Sequence, residues 1–135
     1  MNRRELLAVT ALALAASGCK GGDGPAGLSQ CQGALTVTAD SGTISPSFAW
    51  TPSCRASRLI VDPNSDIVDY WVLATVADTN GLFPPIRYGA RPSGSVTLFG
   101  PVGLQGGTSY RVRVLRATGD TALPFEVIGA TLFRP

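Results

Sequence analysis

From about residue 33 onward, apolar and polar residues alternate with the period of two that a half-buried β-strand requires. The segments 35–39 and 47–50 show this alternation, and the clearest case is the segment from Thr108 to Arg116. In that segment Tyr110, Val112 and Val114 fall on one face, while Arg111 and Arg113 fall on the other. Because no helix produces such a pattern, each of these segments is predicted to be a strand with one buried face.

Glycine and proline separate these runs at short intervals. Denser apolar runs at 59–61 and 70–76 are typical of buried strands, and 125–133 is predicted as a last strand with a bulge at Gly129. The chain holds 16 glycines and 10 prolines, which leaves no room for a long helix. The pattern predicts an all-β fold, an antiparallel β-sandwich of about seven strands, with a closed barrel as the alternative architecture.

The first nineteen residues follow a different pattern. A short charged segment precedes an eleven-residue apolar run, Leu6 to Ala16, which as a helix is about 16 Å long and too short to span a bilayer. Small residues, Ala16-Ser17-Gly18, then lead directly to Cys19. This layout predicts a cleaved export signal, and the small residues before the cysteine resemble a bacterial lipoprotein signal.

That resemblance implies cleavage after residue 18 and a lipid on Cys19. An ordinary secretory signal that leaves Cys19 as a plain thiol is the alternative. Arg3 and Arg4 resemble a twin-arginine export signal, although two arginines also supply the positive charge that any signal needs. The predicted location is the bacterial cell envelope, with the protein anchored to a membrane by its lipid, on the periplasmic or surface face of an outer membrane.

Three regions follow from these patterns. Residues 1–18 are the predicted signal peptide, and residues 19–32 are the lipidated cysteine with a glycine-rich, flexible tether. Residues 33–135 are the predicted sandwich domain.

Once Cys19 is assigned to lipid, Cys31 and Cys54 are the remaining cysteines, and in an oxidising compartment a disulfide between them is predicted. Two free thiols are the alternative, whereas a two-ligand metal site lacks further ligands.

The residue inventory argues against catalysis and against cofactors. The chain contains no histidine, so Ser-His-Asp and Cys-His arrangements and an ordinary zinc site are ruled out. A carboxylate pair such as Asp66 with Asp69 is the remaining route to an enzyme. From residue 19 onward nine basic side chains face eight carboxylates, and no basic cluster indicates a nucleic-acid partner.

The alternate spacing of Asp62, Asn64 and Asp66 resembles the start of a calcium loop. Ile67 stands where that loop needs a glycine for its sharp turn, and Leu73 stands where it needs a bidentate glutamate. No metal site is therefore predicted, and Asp62 is interpreted as part of an ordinary turn.

Three positions resemble the fibronectin type III family. The stretch Phe48-Ala49-Trp50-Thr51-Pro52 and the stretch Leu104 to Tyr110, with its leucine six residues before a tyrosine, carry the resemblance over about residues 33–133. It implies that Trp50 packs the core and that Leu104 and Tyr110 form the turn into the sixth strand. The tyrosine hydroxyl would bond back to the backbone there. The cysteine pair and the long stretch from Asp78 to Gly100 depart from that family, and an immunoglobulin-like variant of the sandwich stays open.

A binding surface is predicted in the loop from Asp78 to Gly94, because that loop is long and aromatic. Phe83 and Tyr88 are expected to be exposed there beside Arg87, where they would contact a protein or glycan. Arg111 and Arg113, joined by Arg58, are predicted to form a basic stripe on the exposed sheet face, which is more simply a solvated surface than a docking site.

The predicted function is that of a lipid-anchored, non-catalytic binding or assembly module. The alternative is a structural accessory subunit that pairs through a sheet edge.

Overall fold

Strands account for nearly all of the regular structure. The computed structural model describes residues 28–65 and 68–135 of the 135-residue chain. A single 3-10 turn, Val76–Asp78, is the only helical segment among these residues. The strands are β1 (Thr36–Ala39), β2 (Ser47–Thr51), β3 (Arg58–Pro63), β4 (Trp71–Thr75), β5 (Ile86–Arg87), β6 (Ser95–Phe99), β7 (Tyr110–Ala117) and β8 (Phe125–Phe133).

The strands form two antiparallel sheets that pack as a β-sandwich. The smaller sheet has the order β1-β2-β5, and the larger has the order β6-β4-β3-β7-β8. The predicted all-β sandwich is therefore confirmed. The closed-barrel alternative is wrong, because the strands divide between two sheets instead of closing into one.

The strands predicted from strict alternation lie where they were expected. In β7, Tyr110, Val112 and Val114 are buried, while Arg111 and Arg113 lie on the outer face. The predicted irregularity in the last strand is also present. Val114 pairs with Gly129 and Leu115 pairs with Val127, so the residue between, Ile128, has no partner in the ladder. The bulge lies immediately before Gly129, where a Cβ atom would lie 2.6 Å from Cγ2 of Val37 in β1.

The stretch from Asp78 to Gly100 contains two strands that the sequence pattern did not separate. The two-residue strand β5 extends the smaller sheet beside β2, and β6 forms one edge of the larger sheet beside β4. The register of β6 shifts at Leu98, since Val72 pairs with Phe99 whereas Leu73 pairs with Thr97. A short strand and a bulged strand give no regular alternation, which explains why this stretch read as irregular.

The core lies between the two sheets and is rich in aromatic side chains. Phe48 from the smaller sheet meets Phe133 from the larger sheet with ring centroids 5.2 Å apart, and Phe133 also stacks on Tyr110 at 5.8 Å. The largest fully buried apolar side chains come from both sheets and include Trp50, Trp71, Tyr110, Phe48, Leu59, Leu73 and Ile86. Their burial is the main stabilising contribution to the sandwich.

A disulfide closes one end of the sandwich, as predicted. Cys31 and Cys54 are bonded with an S–S distance of 2.08 Å and a Cα–Cα distance of 4.9 Å. The amide of Cys31 donates to the carbonyl of Arg55 at 2.9 Å, and the amide of Arg55 donates to the carbonyl of Ser29 at 2.8 Å. Ser29 and Cys31 therefore already contact the domain, before the boundary predicted at residue 33.

Candidate functional site

The central loop does not present the aromatic pair that the sequence predicted. Tyr88 was expected to be exposed, and this expectation is wrong. Its ring packs edge-on against Trp71 with centroids 5.2 Å apart, and its hydroxyl donates to the carbonyl of Val102 at 2.5 Å. Tyr88 is 9 % exposed. The segment after β6 folds back over the loop, so Pro101 lies against Gly89 and Val102 receives the tyrosine hydroxyl.

The same burial controls the ionisation of Tyr88. Removal of the phenol from water, with a smaller contribution from the neighbouring Tyr110, raises the pKa of Tyr88 from 10.0 to about 12. The group is therefore a neutral hydrogen-bond donor of the core at physiological pH.

The other two predicted binding residues lie apart from one another. Phe83 is half-buried and follows Leu82, which pairs with Ala56 near the disulfide end. Arg87 is exposed in β5 and pairs with Ser47. With Tyr88 in the core, the three residues do not form one exposed surface. Binding by Phe83 and Arg87 stays a prediction.

The arginines predicted as a free basic stripe are engaged by a carboxylate that the sequence placed in a turn. Asp62 lies in β3, and its side chain is 1 % exposed. Its Oδ1 accepts from Nε and Nη2 of Arg111 at 3.1 and 2.9 Å, and its Oδ2 accepts from Nε and Nη2 of Arg113 at 3.0 and 2.9 Å. Both oxygens are thus paired with guanidinium nitrogens.

Register explains this cluster. Asp62 pairs directly with Arg111 across β3 and β7, so the two side chains share the outer face of the larger sheet, and Arg113 lies one step diagonally along the same face. Arg113 also reaches Asp69, with Nη2 3.4 Å from Oδ1. Two signals in the sequence bear on this cluster: Asp62 follows directly on the apolar run 59–61, and Arg111 and Arg113 alternate with apolar residues. Only the register between β3 and β7 shows that these side chains meet.

Arg58, the third member of the predicted stripe, contacts an aromatic ring. Its guanidinium carbon is 3.7 Å from the centroid of the Phe125 ring, a cation–π geometry between β3 and β8. The sequence favoured a solvated surface over a docking site for these arginines, and each of them has a partner within the domain.

The structure offers little geometry for metal ligation or acid–base chemistry. Asp62, the first residue of the calcium-like spacing, has both oxygens on arginines, and Asp66 lies outside the described residues. Asp69, its suggested carboxylate partner, contacts Arg113. Within residues 28–65 and 68–135, no three His, Cys, Asp or Glu side chains come together as a metal site would need.

The surface of the described residues includes two open depressions that could hold a small ligand. One, of about 230 Å³, lies at the turn between β7 and β8 and carries Asp120 as its charged residue. The other, of about 350 Å³, lies beside the end of β8 and carries Arg134. A lone charged group in an open depression lacks the paired groups that acid–base catalysis uses.

The three positions that carried the family resemblance have defined structural roles. Trp50 is buried, and its indole Nε1 donates to the carbonyl of Cys54 at 2.9 Å. Tyr110 is buried, and its hydroxyl accepts from the amide of Gln105 at 3.0 Å, just after the buried Leu104. Core packing by Trp50 and the bond from the Tyr110 hydroxyl back to the backbone are therefore both observed.

Comparisons with known proteins give no relative. No protein-family model matches the chain, and neither a curated protein nor a solved structure matches it. Among the described residues, no helix has the length and apolar character needed to cross a membrane.

Proposed function

We propose that this chain is a lipid-anchored, non-catalytic envelope protein whose β-sandwich acts as a binding or assembly module. The observation that carries the proposal is the disulfide. The chain has three cysteines, and Cys31 is bonded to Cys54, so Cys19 is the cysteine outside this bond. It directly follows three small residues after an apolar segment, which is the position that a lipoprotein signal requires.

The way in which the chain enters the domain supports the anchor. Within the described residues, Ser29 and Cys31 form backbone hydrogen bonds with Arg55, and the disulfide fixes this entry point to the connection between β2 and β3. The glycine-rich residues between Cys19 and Leu28 would serve as the tether. A force on the lipid would thus reach a covalently closed end of the sandwich.

We assign the sandwich to the fibronectin type III type as part of this proposal. Its support is the buried Trp50, the bond between the Tyr110 hydroxyl and the Gln105 amide, and the packing of two antiparallel sheets. Domains of this architecture carry many functions, so the assignment concerns the scaffold and not the ligand.

The non-catalytic part of the proposal rests on chemistry. The chain has no histidine, and the most buried carboxylate in the described residues, Asp62, is neutralised by two arginines that hold the outer sheet face together. A carboxylate held in this way serves as a structural ion pair and not as an acid or base.

Membrane fractionation of a Cys19→Ala variant tests the anchor. The native chain should sediment with membranes and leave them only in detergent, whereas Cys19→Ala should be soluble in the same cells. The Cys31→Ser/Cys54→Ser double variant is the matched control, since it removes the other thiols and should remain in the membrane fraction. Retention of Cys19→Ala in the membrane would contradict the lipoprotein assignment.

One observation favours the second candidate, a structural subunit that assembles through a sheet edge. Strand β6 borders the larger sheet, contains no charged residue, and exposes Leu98 and Phe99, which are 54 % and 48 % exposed. Uncharged, exposed edges are templates for another strand. In this case a neighbour with an extended segment should co-purify with the protein through detergent extraction, whereas recovery of the protein alone would exclude a stable subunit.

A further inference from the structure

The described chain begins beside two turns at one end of the sandwich. Gln30 forms a bridge with Arg55, and its side-chain oxygen accepts from Asn80 at 3.5 Å. Asn80 also accepts from the amide of Ala117 at 3.0 Å, which ties the turn after β4 to the end of β7. We call this end the entry face and define it by the segments 29–32, 76–81 and 118–124.

The entry face exposes apolar side chains at the tips of both turns. Val76 is 56 % exposed and Leu123 is 62 % exposed, the latter in the hairpin between β7 and β8. Both side chains are therefore in contact with solvent at the end where the chain enters the domain.

The hairpin that carries Leu123 is closed by hydrogen bonds among its own residues. The Thr118 hydroxyl donates to the carbonyl of Leu123 at 2.5 Å and accepts from the amide of Asp120 at 3.0 Å. The Asp120 carboxylate accepts from the amide of Ala122 at 2.8 Å. These bonds leave few free backbone groups at the tip, and at headgroup level the Asp120 carboxylate would keep its contact with water.

The length of the tether decides which surface the apolar pair would meet. Nine peptide steps separate Cys19 from Leu28, so the tether reaches about 30 Å when fully extended and about 15 to 18 Å as a flexible coil. Strand β8 has nine residues and is therefore about 30 Å long, so the opposite end of the sandwich lies about that far from the point where the tether joins the domain. The entry face is the part of the domain that the tether holds next to the bilayer.

We propose that the entry face rests on the membrane surface, with Val76 and Leu123 inserted at the level of the lipid headgroups. This inference rests on the proposed lipid anchor. The acyl chains on Cys19 would supply most of the affinity, and the two side chains would orient the domain, because tethering raises their local concentration at the bilayer. The opposite end, with the turn after β3 and the segment after β6, would then face away from the membrane.

Quenching by brominated lipids tests this orientation on the full, lipidated chain. A bimane fluorophore is attached to Thr121→Cys in the hairpin or to Ser65→Cys at the opposite end. Each protein is reconstituted into vesicles of phosphatidylethanolamine and phosphatidylglycerol, with plain or brominated acyl chains. We expect brominated lipid to reduce the fluorescence at position 121 at least twofold and to leave position 65 unchanged.

Two variants link the quenching to the apolar pair. In the Thr121→Cys background, Val76→Ser/Leu123→Ser should lose the quenching, whereas Val68→Ser should retain it. Val68 is similarly exposed, at 54 %, in the stretch that leads into β4 at the opposite end. Circular dichroism of each variant checks that the sandwich is folded.

The outcomes separate the two proposals. Absence of quenching at position 121 in a protein whose mass includes the acyl chains would overturn the orientation while the anchor stands. Equal quenching at positions 121 and 65 would also overturn it, because the domain would then lie flat. A mass without acyl chains would remove the anchor and this inference with it.

Discussion

At the scale of single residues, the main finding is that the most deeply buried charge of the domain is a structural one. Asp62 lies on the outer face of the larger sheet, yet it is 1 % exposed because the side chains of Arg111 and Arg113 cover it. Buried ion pairs contribute little net stability, but removal of one partner is costly since the other charge is left unpaired. Here both arginines keep some contact with solvent, which moderates that cost.

Replacement of Asp62 by asparagine should therefore destabilise the domain measurably. We expect a loss of about 2 kcal/mol in the free energy of unfolding, because two guanidinium groups lose their shared counter-charge. Urea unfolding followed by tryptophan fluorescence measures it. Asp69→Asn is the control, since Asp69 is 41 % exposed and should contribute less than about 0.5 kcal/mol. Equal effects of the two changes would contradict the central role of Asp62.

Tyr88 gives the second prediction at this scale. Its pKa is about 12 in the folded domain against 10.0 for the ordinary group, so between these pH values the folded state holds a proton that the unfolded state loses. The stability that Tyr88 contributes is complete below pH 10 and is lost as the pH rises toward 12, by at most about 1.4 kcal/mol per pH unit.

Tyr88→Phe should remove this loss of stability at alkaline pH. At neutral pH it should lower the free energy of unfolding by about 1 kcal/mol, because the hydrogen bond to Val102 is lost. Urea midpoints at pH 8, 10 and 11 compare the two proteins. The native protein should lose stability more steeply above pH 10 than Tyr88→Phe does. Parallel curves for both proteins would show that the Tyr88 hydroxyl is not buried as described.

At the scale of elements, β6 is the most accessible edge of the sandwich. The edges formed by β1 and β8 approach one another, and the amide of Leu35 donates to the carbonyl of Ile128 at 2.7 Å. Strand β5 has only two residues. By contrast β6 has five residues, no charge and one bulge at Leu98, and a bulge is a partial protection against pairing with another strand.

A proline in β6 tests whether this edge binds a strand. The amide of Val76 donates to the carbonyl of Gly94 at 3.1 Å. Because hydrogen-bonded and non-hydrogen-bonded pairs alternate along an antiparallel ladder, the amide of Thr97 should then point away from β4. Thr97→Pro should abolish co-purification of a partner without opening the sheet, and Thr97→Val should retain it. Capture that survives Thr97→Pro would place the partner on another surface.

The sequence predicted strands well where one face of the strand is buried and the other is exposed to solvent. Strands β2 and β7 follow from alternation alone, because the two sides of these strands differ in environment, and the bulge in β8 was predicted from Gly129. The pattern could not separate β5 and β6. Strand β5 is too short to show an alternation of apolar and polar residues, and the bulge at Leu98 interrupts that alternation in β6.

The candidate site was harder to predict for the same physical reason. Tyr88 is buried by Val102 and Trp71, which are distant in sequence, and the pattern around the two prolines gave no sign of this contact. Asp62 meets Arg111 and Arg113 through register between strands. The roles of Trp50 and Tyr110 were predictable because the spacing of their motifs is local.

At the scale of the whole molecule, the two ends of the sandwich differ. The entry face carries Ser29 and Cys31, the disulfide and the exposed Val76 and Leu123. The disulfide closes a loop with a sequence separation of 23 residues, which is worth about 3 kcal/mol in the chain-entropy description. The disulfide stabilises the end of the domain to which the tether would be joined.

The opposite end and the β6 edge are then the surfaces left for a partner. Exposed Ile44 and Val68 lie in turns at that end, and Val102 follows β6 close to Tyr70. In a protein held by its lipid with the entry face on the bilayer, these are the parts presented to the surrounding compartment.

Intact mass spectrometry of the detergent-extracted protein tests whether the mature protein begins at a lipid-bearing Cys19. We expect a chain of residues 19–135 with one disulfide, heavier than the polypeptide by a lipid with its acyl chains. The Cys19→Ala protein should lack that added mass. A native protein that begins at another residue, or that begins at Cys19 with the mass of the bare polypeptide, would contradict the lipid anchor.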